Sequence, residues 1–455
     1  MFRSAVHIKG YYRQHALQFL PCRISRSVHV SSALVKCFET ESCTTQISEY
    51  ASREVTSAII DFSVGQPSPR LLPIERIRKA TSDRLAESTS NLLLQYGPRQ
   101  GYPSFRKELA SFLNQRYLGH VVTPDSLMTT AGVSHGLDLV CGCLAKPGDI
   151  ILVEQPTYFL AKRIFECNNL NVESVKTDAS GLDTEALEEM LEAWPAHVRR
   201  PRLLYTIPVH NNPSATTLPP ARRLHLIQLA HKFDLTIIAD EVYQMLSFLG
   251  SEECPVPPLR HFESIYMQGN NKSQHCPSKV VSLGSFSKIL APGLRLGWVE
   301  AGQEAMEKLR SDGVINSGGC IAPLSCGIAH SLLQMGSLQE HLDACVRPAL
   351  EAQCLALSTA IHEVLPAATF LHPQGGYFLW LQLPEKVRDA RELLKHAEKN
   401  GLGVKFTPGE ACGGDANFAR LCFAFYSPSE LTEGARRLAL AVSTFPTALN
   451  DSTQD

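Results

Sequence analysis

The sequence has almost no net charge: 43 Lys and Arg stand against 45 Asp and Glu, a formal −2 over 455 residues. Nucleic acid and acidic membranes are bound by a basic excess, so neither is an expected partner. No apolar run approaches the roughly 18 residues that span a bilayer. None of the 14 cysteines forms a CxxC pair. Cys141 and Cys143 lie two apart in a helical stretch, too close for the usual zinc spacings, and no metal site is expected. Thiols scattered in this way read as reduced, in a reducing compartment. No internal repeat is visible.

Acid is also missing from the N-terminus. Arg3, Lys9, Arg13, Arg23, Arg26 and Lys36 all precede the first acidic residue, Glu39. Five serines fall between Ser4 and Ser32. A basic, Ser-containing, acid-free leader has the composition of a mitochondrial transit peptide. The plainer alternatives are an unstructured tail or a wrongly assigned start, with a cytoplasmic protein. On the first reading residues 1–38 are set aside, with cleavage expected between Arg23 and Ala33.

The whole sequence is 44% hydrophobic and 19% charged, ordinary for a globular chain long enough for more than one domain. From about residue 90 to 310, short apolar runs alternate with helical stretches. "LMTT", "DIILVEQ", "NVESVKT", "RLLYTI", "LTIIAD", "KVVSLGS" and "LRLGWVE" read as strands. Asp183 caps one intervening helix and Pro219–Pro220 open another. Continuous apolar strands separated by helices predict a mainly parallel sheet covered on both faces. After about residue 340 comes a long helix, "HLDACVRPALEAQCLALSTAIHEVL". Two strands bent at Gly375–Gly376, a helix, the strand "FARLCFAFY" and a closing helix follow. The expected division is an N-terminal segment over 39–85 that packs on a small domain, a large domain over 86–335, and the small α/β domain over 336–455. Residues 250–278, rich in Pro, Gly, Asn and Ser, read as an inserted surface loop near the site mouth.

Ligands of such sheets bind beyond the carboxyl ends of the strands. Several polar residues fall there: Asp240 and Tyr243 after "TIIAD", Asn212 after "RLLYTIPVH", Ser285 and Lys288 after "VVSL", Ser134 at a helix start, Tyr158 after "ILVEQPT". Arg295, Ser285 and the helix N-terminus at Ser134 suit a phosphate. A buried Asp needs a cation, and a lysine in the same ring of residues can form a Schiff base. Phosphate, cationic ring nitrogen and imine together describe pyridoxal 5′-phosphate. Taken singly, each residue has a plainer reading: a solvated lysine, a strand-end acid, a surface arginine, a helix cap, a packing aromatic. Their order and spacing favour the joint one. His135, His210 and His372 are read as structural.

The segments "YGPRQGYPSFRKELASFL", "AGVSHGLD", "PTY", "NNPSATT", "ADEVY", "SFSKILAPGLRLGW", "GGYFLW" and "ARLCF", in this order, resemble the class I/II aminotransferases of fold type I. The resemblance covers roughly residues 55 to 445, and its cast is similar to the aminoadipate, kynurenine and valine-type members. It implies transfer of an amino group from an L-amino acid to a 2-oxo acid, with 2-oxoglutarate as the expected acceptor, through a Lys288 aldimine. Asp240 would keep the pyridine nitrogen protonated. Tyr243 and Asn212 would donate to the ring oxygen. Ser285, Arg295, Ser134 and the backbone around Val133 would bind the phosphate, and Tyr158 would stack on the ring. Arg420 would pair with the substrate carboxylate beside Gly65. Tyr96 would reach the phosphate of a neighbouring subunit, which implies a homodimer with shared sites.

Two departures stand out. "NPSA" replaces the family's "NPTG", and residues 250–278 lengthen the interval between Asp240 and Lys288. Arg53 and Arg70 are candidates for a substrate's side-chain carboxylate. The alternatives are a C–S lyase or another enzyme on the same scaffold, and a non-enzymatic effector sensor. An Arg420 grip on the carboxylate disfavours decarboxylation, and no appended helix-turn-helix supports a sensor.

Overall fold

The structure is a computed structural model. It describes residues 58–88, 90–117, 119–250, 256–269, 277–319 and 321–446. The leader, all of 39–57 with Arg53, and both flanks of the 256–269 segment lie outside the described residues.

The strands are β1 (Ile60–Asp61), β2 (Leu127–Thr130), β3 (Ile150–Gln155), β4 (Asn171–Asp178), β5 (Gly181–Leu182), β6 (Leu203–Thr206) and β7 (Thr236–Asp240). There follow β8 (Val280–Ser285), β9 (Gly297–Glu300), β10 (Thr369–Phe370), β11 (Phe378–Gln382), β12 (Val404–Lys405), β13 (Thr407–Pro408) and β14 (Phe418–Cys422). Eight form one sheet in the order β2-β9-β8-β7-β6-β3-β4-β5. The pairs β8–β7, β7–β6, β6–β3 and β3–β4 are parallel. β9 runs antiparallel between β8 and β2, and β5 antiparallel to β4.

Alternation explains the two covered faces. Ile150, Leu152, Leu204, Ile237 and Val280 point into one apolar cluster, shared with the helices Thr184–Glu192 and Pro220–Phe233. Ile151, Val153, Leu203, Ile238 and Val281 point into the other. A side chain buried this completely contributes roughly 1.5–3 kcal/mol, so neither face tolerates a polar run.

A second sheet, in the order β10-β11-β14-β13, is wholly antiparallel. β1 pairs with β12, while the helix Ile74–Ala86 packs against the helix Pro323–Gln334. Residues 58–86 therefore touch an element within the expected large domain, Pro323–Gln334, and one within the expected small domain, β12.

Three expectations are corrected. The segment 250–278 is not simply a loop: Leu259–Gly269 is a helix whose Leu259 and Phe262 enter the core. "LRLGWVE" is a strand only from Gly297; Pro292–Leu294 form a 3-10 turn and Arg295 has a left-handed φ of 46°. The long helix after residue 340 opens with a π turn at Leu342–Val346, just before Arg347 and Pro348, whose ring removes a backbone donor.

Candidate active site

The carboxyl ends of β6, β7, β8 and β2 meet at one rim. β9 starts there too, because Gly297 pairs with both Ser285 and Thr130. A cavity of about 380 Å³ opens at this rim. It is lined by Gly65, Val133, Ser134, Tyr158, Asn212, Asp240, Tyr243, Ser285, Lys288, Arg295 and Arg420. Of the described site residues read from sequence, Tyr96 and Arg70 are elsewhere: neither lines this cavity, and Tyr96 is 84% exposed.

Lys288 follows β8, half-buried on the cavity wall. Its Nζ donates to the Gly65 carbonyl at 2.8 Å and lies 5.1 Å from the Tyr377 ring centroid. Burial pulls the amine down to about 8. Arg420 and Arg295 pull the same way, while Cys422 and Asp240 oppose. A lysine in water is almost wholly charged at neutral pH; this one is neutral often enough to act as a nucleophile.

Asp240 ends β7 and is 3% exposed. Its Oδ2 accepts from Tyr205 Oη at 2.7 Å, whereas buried Oδ1 has no partner. Burial pushes the carboxyl up to about 6, against the Tyr205 hydroxyl, the Val242 amide and Lys288. Oδ1 is thus a buried acceptor in want of a cationic donor, which a protonated pyridine nitrogen supplies.

Another corner of the cavity suits an anion such as a phosphate. The helix Val133–Leu144 starts after Gly132, whose φ is 80°. A Cβ on Gly297 would sit 2.9 Å from Gly132 Cα, and one on Gly132 would meet Arg295 Nη2 at 3.3 Å, so only glycines allow this approach. The helix N-terminus, Ser134, Ser285 and Arg295 line the cavity together here, a set that suits an anion. His135 accepts from Ala131 N at 3.2 Å, a capping contact.

Arg420, on β14, reaches across from the small sheet. Nη1 donates to Asn212 Oδ1 at 2.9 Å. Nη2 donates to the Ser63 carbonyl at 3.0 Å and to Thr407 Oγ1 at 3.1 Å, and buried Nε has no partner. Phe378 lies over the guanidinium at 4.4 Å and Phe159 at 5.7 Å. Arg70 does not serve the cavity. It forks onto Glu430 at 2.8 and 3.2 Å, on the closing helix.

Sequence reasoning missed Tyr205, Ser63, Thr407, Phe159 and Phe378. Tyr205 and Phe378 look like core aromatics in apolar strands, and no local spacing ties Thr407 to Arg420. A larger groove, about 910 Å³, opens between β4 and the small sheet beside Trp380 and Phe418. The smaller cavity holds the chemistry, because the lowered amine, the unpartnered carboxylate oxygen and the anion cradle all converge on it.

The profile described as aminotransferase class I and II matches residues 57–438. The aromatic-amino-acid aminotransferase 1 of Thermococcus litoralis is 31% identical over 402 residues, 87% of this chain and 90% of the other. The 2-aminoadipate transaminase of Thermus thermophilus is 32% identical over 386 residues, 84% of this chain and 90% of the other. Among solved structures, the α-aminoadipate aminotransferase of Thermus thermophilus, complexed with N-(5′-phosphopyridoxyl)-L-leucine, superposes with a TM-score of 0.73 at 31% identity. That match covers 85% of this chain and 92% of the other. Amine, acid and anion cradle, together with these likenesses, make the chain a member of the class I and II aminotransferases, transaminases that depend on pyridoxal 5′-phosphate.

Proposed function

We propose that the protein moves the amino group of an L-amino acid to 2-oxoglutarate in two half-reactions at this one cavity, with Lys288 as the amine that carries the cofactor. The cofactor, when bound, supplies an aldehyde that condenses with amines and a ring that draws electrons from the carbon bearing the amino group. Asp240 Oδ1 accepts the ring N–H. Tyr243 and the Asn212 amide donate to the ring oxygen, and Tyr158 covers the ring face. Val133, Ser134, Ser285 and Arg295 take the phosphate. Lys288, once released, is the base that moves the proton at the reacting carbon.

Arg420 is the group for the substrate carboxylate, beside Gly65. Its acceptors at rest, Asn212 Oδ1, the Ser63 carbonyl and Thr407 Oγ1, are all neutral. A carboxylate is the stronger acceptor for a guanidinium and displaces them. Among the remaining lining residues, Phe159, Leu160 and Pro292 favour an apolar or aromatic side chain, with Gln66 and Ser287 the polar exceptions. Leucine, aminoadipate, kynurenine and the aromatic amino acids are the first donors to try, given what the relatives act on or hold.

The observation that carries this reading is the Lys288 amine, lowered to about 8 in the same cavity as Asp240 and Arg420. Leader-less protein loaded with cofactor is incubated with each donor and 2-oxoglutarate. Glutamate should form in step with the donor's 2-oxo acid. Pyruvate and ammonia without glutamate would instead indicate the lyase.

The protein is further read as a homodimer. Leu92, Leu94 and Tyr96 are 54%, 72% and 84% exposed, an apolar patch suited to a second copy. Mitochondrial targeting is proposed from the basic, acid-free leader.

A further inference from the structure

Glu154, on β3, is 2% exposed and does not line the cavity. Its Oε1 accepts from Thr206 Oγ1 at 2.6 Å. Its Oε2 accepts from Ile207 N at 3.0 Å and from Asn211 Nδ2 at 2.7 Å. All three donors belong to the end of β6 and the turn after it. Asn211 in turn closes that turn. Its Oδ1 accepts from Ser214 N at 3.3 Å and Ser214 Oγ at 3.0 Å, its N–H donates to Thr216 O, and its carbonyl accepts from Ala215 N. Asn212 is the next residue, and its Oδ1 holds Arg420 Nη1 at 2.9 Å.

A carboxylate in the core is expensive unless it is fully paired. Burial pushes Glu154 up to about 7, against its three donors, and Asp240 adds to the rise. Pairing β3 with β6 does not need this group, because the ladder from Ile151–Leu203 to Val153–Tyr205 is already made by backbone. The Glu154 bonds go beyond the ladder, into the turn.

We propose that Glu154 is a positioning residue: by holding Asn211 it fixes the turn that aims the Asn212 amide at the cofactor's ring oxygen and its carbonyl at Arg420. This rests on the transaminase reading with Lys288 as the cofactor's amine. Without Glu154 the sheet persists but the turn loses its anchor. Asn212 then donates less well to the ring oxygen, whose charged form is destabilised.

The test uses the full chain loaded with pyridoxal 5′-phosphate. Three quantities are read: the pH midpoint of the bound cofactor's visible absorbance, the cofactor's dissociation constant, and the melting temperature of the cofactor-free protein. Glu154→Ala and Asn211→Ala should each raise the spectral midpoint by about one pH unit and weaken cofactor binding roughly tenfold. The double variant should do no more than either alone. Glu154→Gln should restore both readings, since its carbonyl can take the Oε2 bonds while the Thr206 hydroxyl turns to accept from the new amide. Thr206→Val removes one donor but leaves the Asn211 link. It should keep the parent's spectral midpoint even where melting falls.

A Thr206→Val shift as large as that of Glu154→Ala, additive effects of Glu154 and Asn211, or a parental spectrum in Asn211→Ala would each overturn the proposal. Should Glu154→Ala not fold, Asn211→Ala against Thr206→Val makes the same comparison. A parent that transaminates while Asn211→Ala is spectrally unmoved sinks this inference alone. A parent that takes up no cofactor sinks the transaminase reading as well.

Discussion

Lys288 lies among groups that pull its charge in opposite directions, and burial wins, bringing it down to about 8. Deprotonated amine is the reactive form, so in cofactor-free protein the labelling of Lys288 by a small acylating reagent should climb through pH 8 and level off above it. Peptide mass spectrometry at each pH reads this directly. A climb that continues to the ordinary lysine range near 10.5 contradicts the lowered value. Asp240 offers the second residue-scale test. Tyr205 donates to its Oδ2 at 2.7 Å, which favours the charged form. Tyr205→Phe removes that donor, so the carboxyl rises beyond about 6 and more of it is protonated at a given pH. The acid limb of the pH–rate profile should move to higher pH, and stability should fall by about 1–3 kcal/mol. Lys288 and Asp240 were legible in sequence because each follows an apolar strand, where a charge stands out. Tyr205 was not, since an aromatic inside "RLLYTI" looks like core until β6 is set beside β7.

Apart from "LRLGWVE", a strand only from Gly297, the strands read from apolar runs in the large domain are found where those runs lie, and Asp183 caps its helix through the N–H groups of Glu185 and Ala186. The antiparallel direction of β9 was hidden, because apolar content says nothing of direction. Sequence noted that the turn after Asn212 lacks the family's glycine. The structure keeps the left-handed geometry there regardless, with Ala215 at a φ of 60°. A left-handed alanine costs roughly 1–2 kcal/mol, which the bonds of Asn211 offset. The helix Leu259–Gly269 was missed for another reason: its anchors are charged. Arg260 Nε donates to Glu300 Oε1 at 2.9 Å, and Leu259 N to Glu241 Oε1 at 2.7 Å. Glu300 is 4% exposed. Losing its arginine still leaves it His120 Nε2 at 3.1 Å, so the cost should be about 1–3 kcal/mol, below that of a buried charge left alone. Arg260→Ala should therefore lower the melting temperature by several degrees. It should leave kcat near that of the parent, because no described residue of 256–269 lines the cavity. A large fall in kcat with unchanged melting would mean that the segment serves the chemistry directly.

At the scale of the molecule, the site exists only where two sheets meet. The large sheet brings Asp240 and Lys288, and the small sheet brings Arg420, which crosses to Asn212. Sequence supplied the members of this set but not their contacts, since Arg420 and Asn212 stand 208 residues apart in the chain. The exposed patch at Leu92, Leu94 and Tyr96 extends the argument to a second copy. If the protein is the homodimer proposed, Leu94→Asp should shift it to monomer in sedimentation and weaken cofactor retention. A dimer that survives Leu94→Asp and Tyr96→Asp together contradicts that interface. On the proposed reading a single amine, Lys288, carries the cofactor. Protein loaded with pyridoxal 5′-phosphate, reduced with borohydride and digested, should show the added pyridoxyl mass on the peptide containing Lys288 and on no other. Mass on a different lysine, or a Lys288→Ala variant that turns over as fast as the parent, would contradict the account.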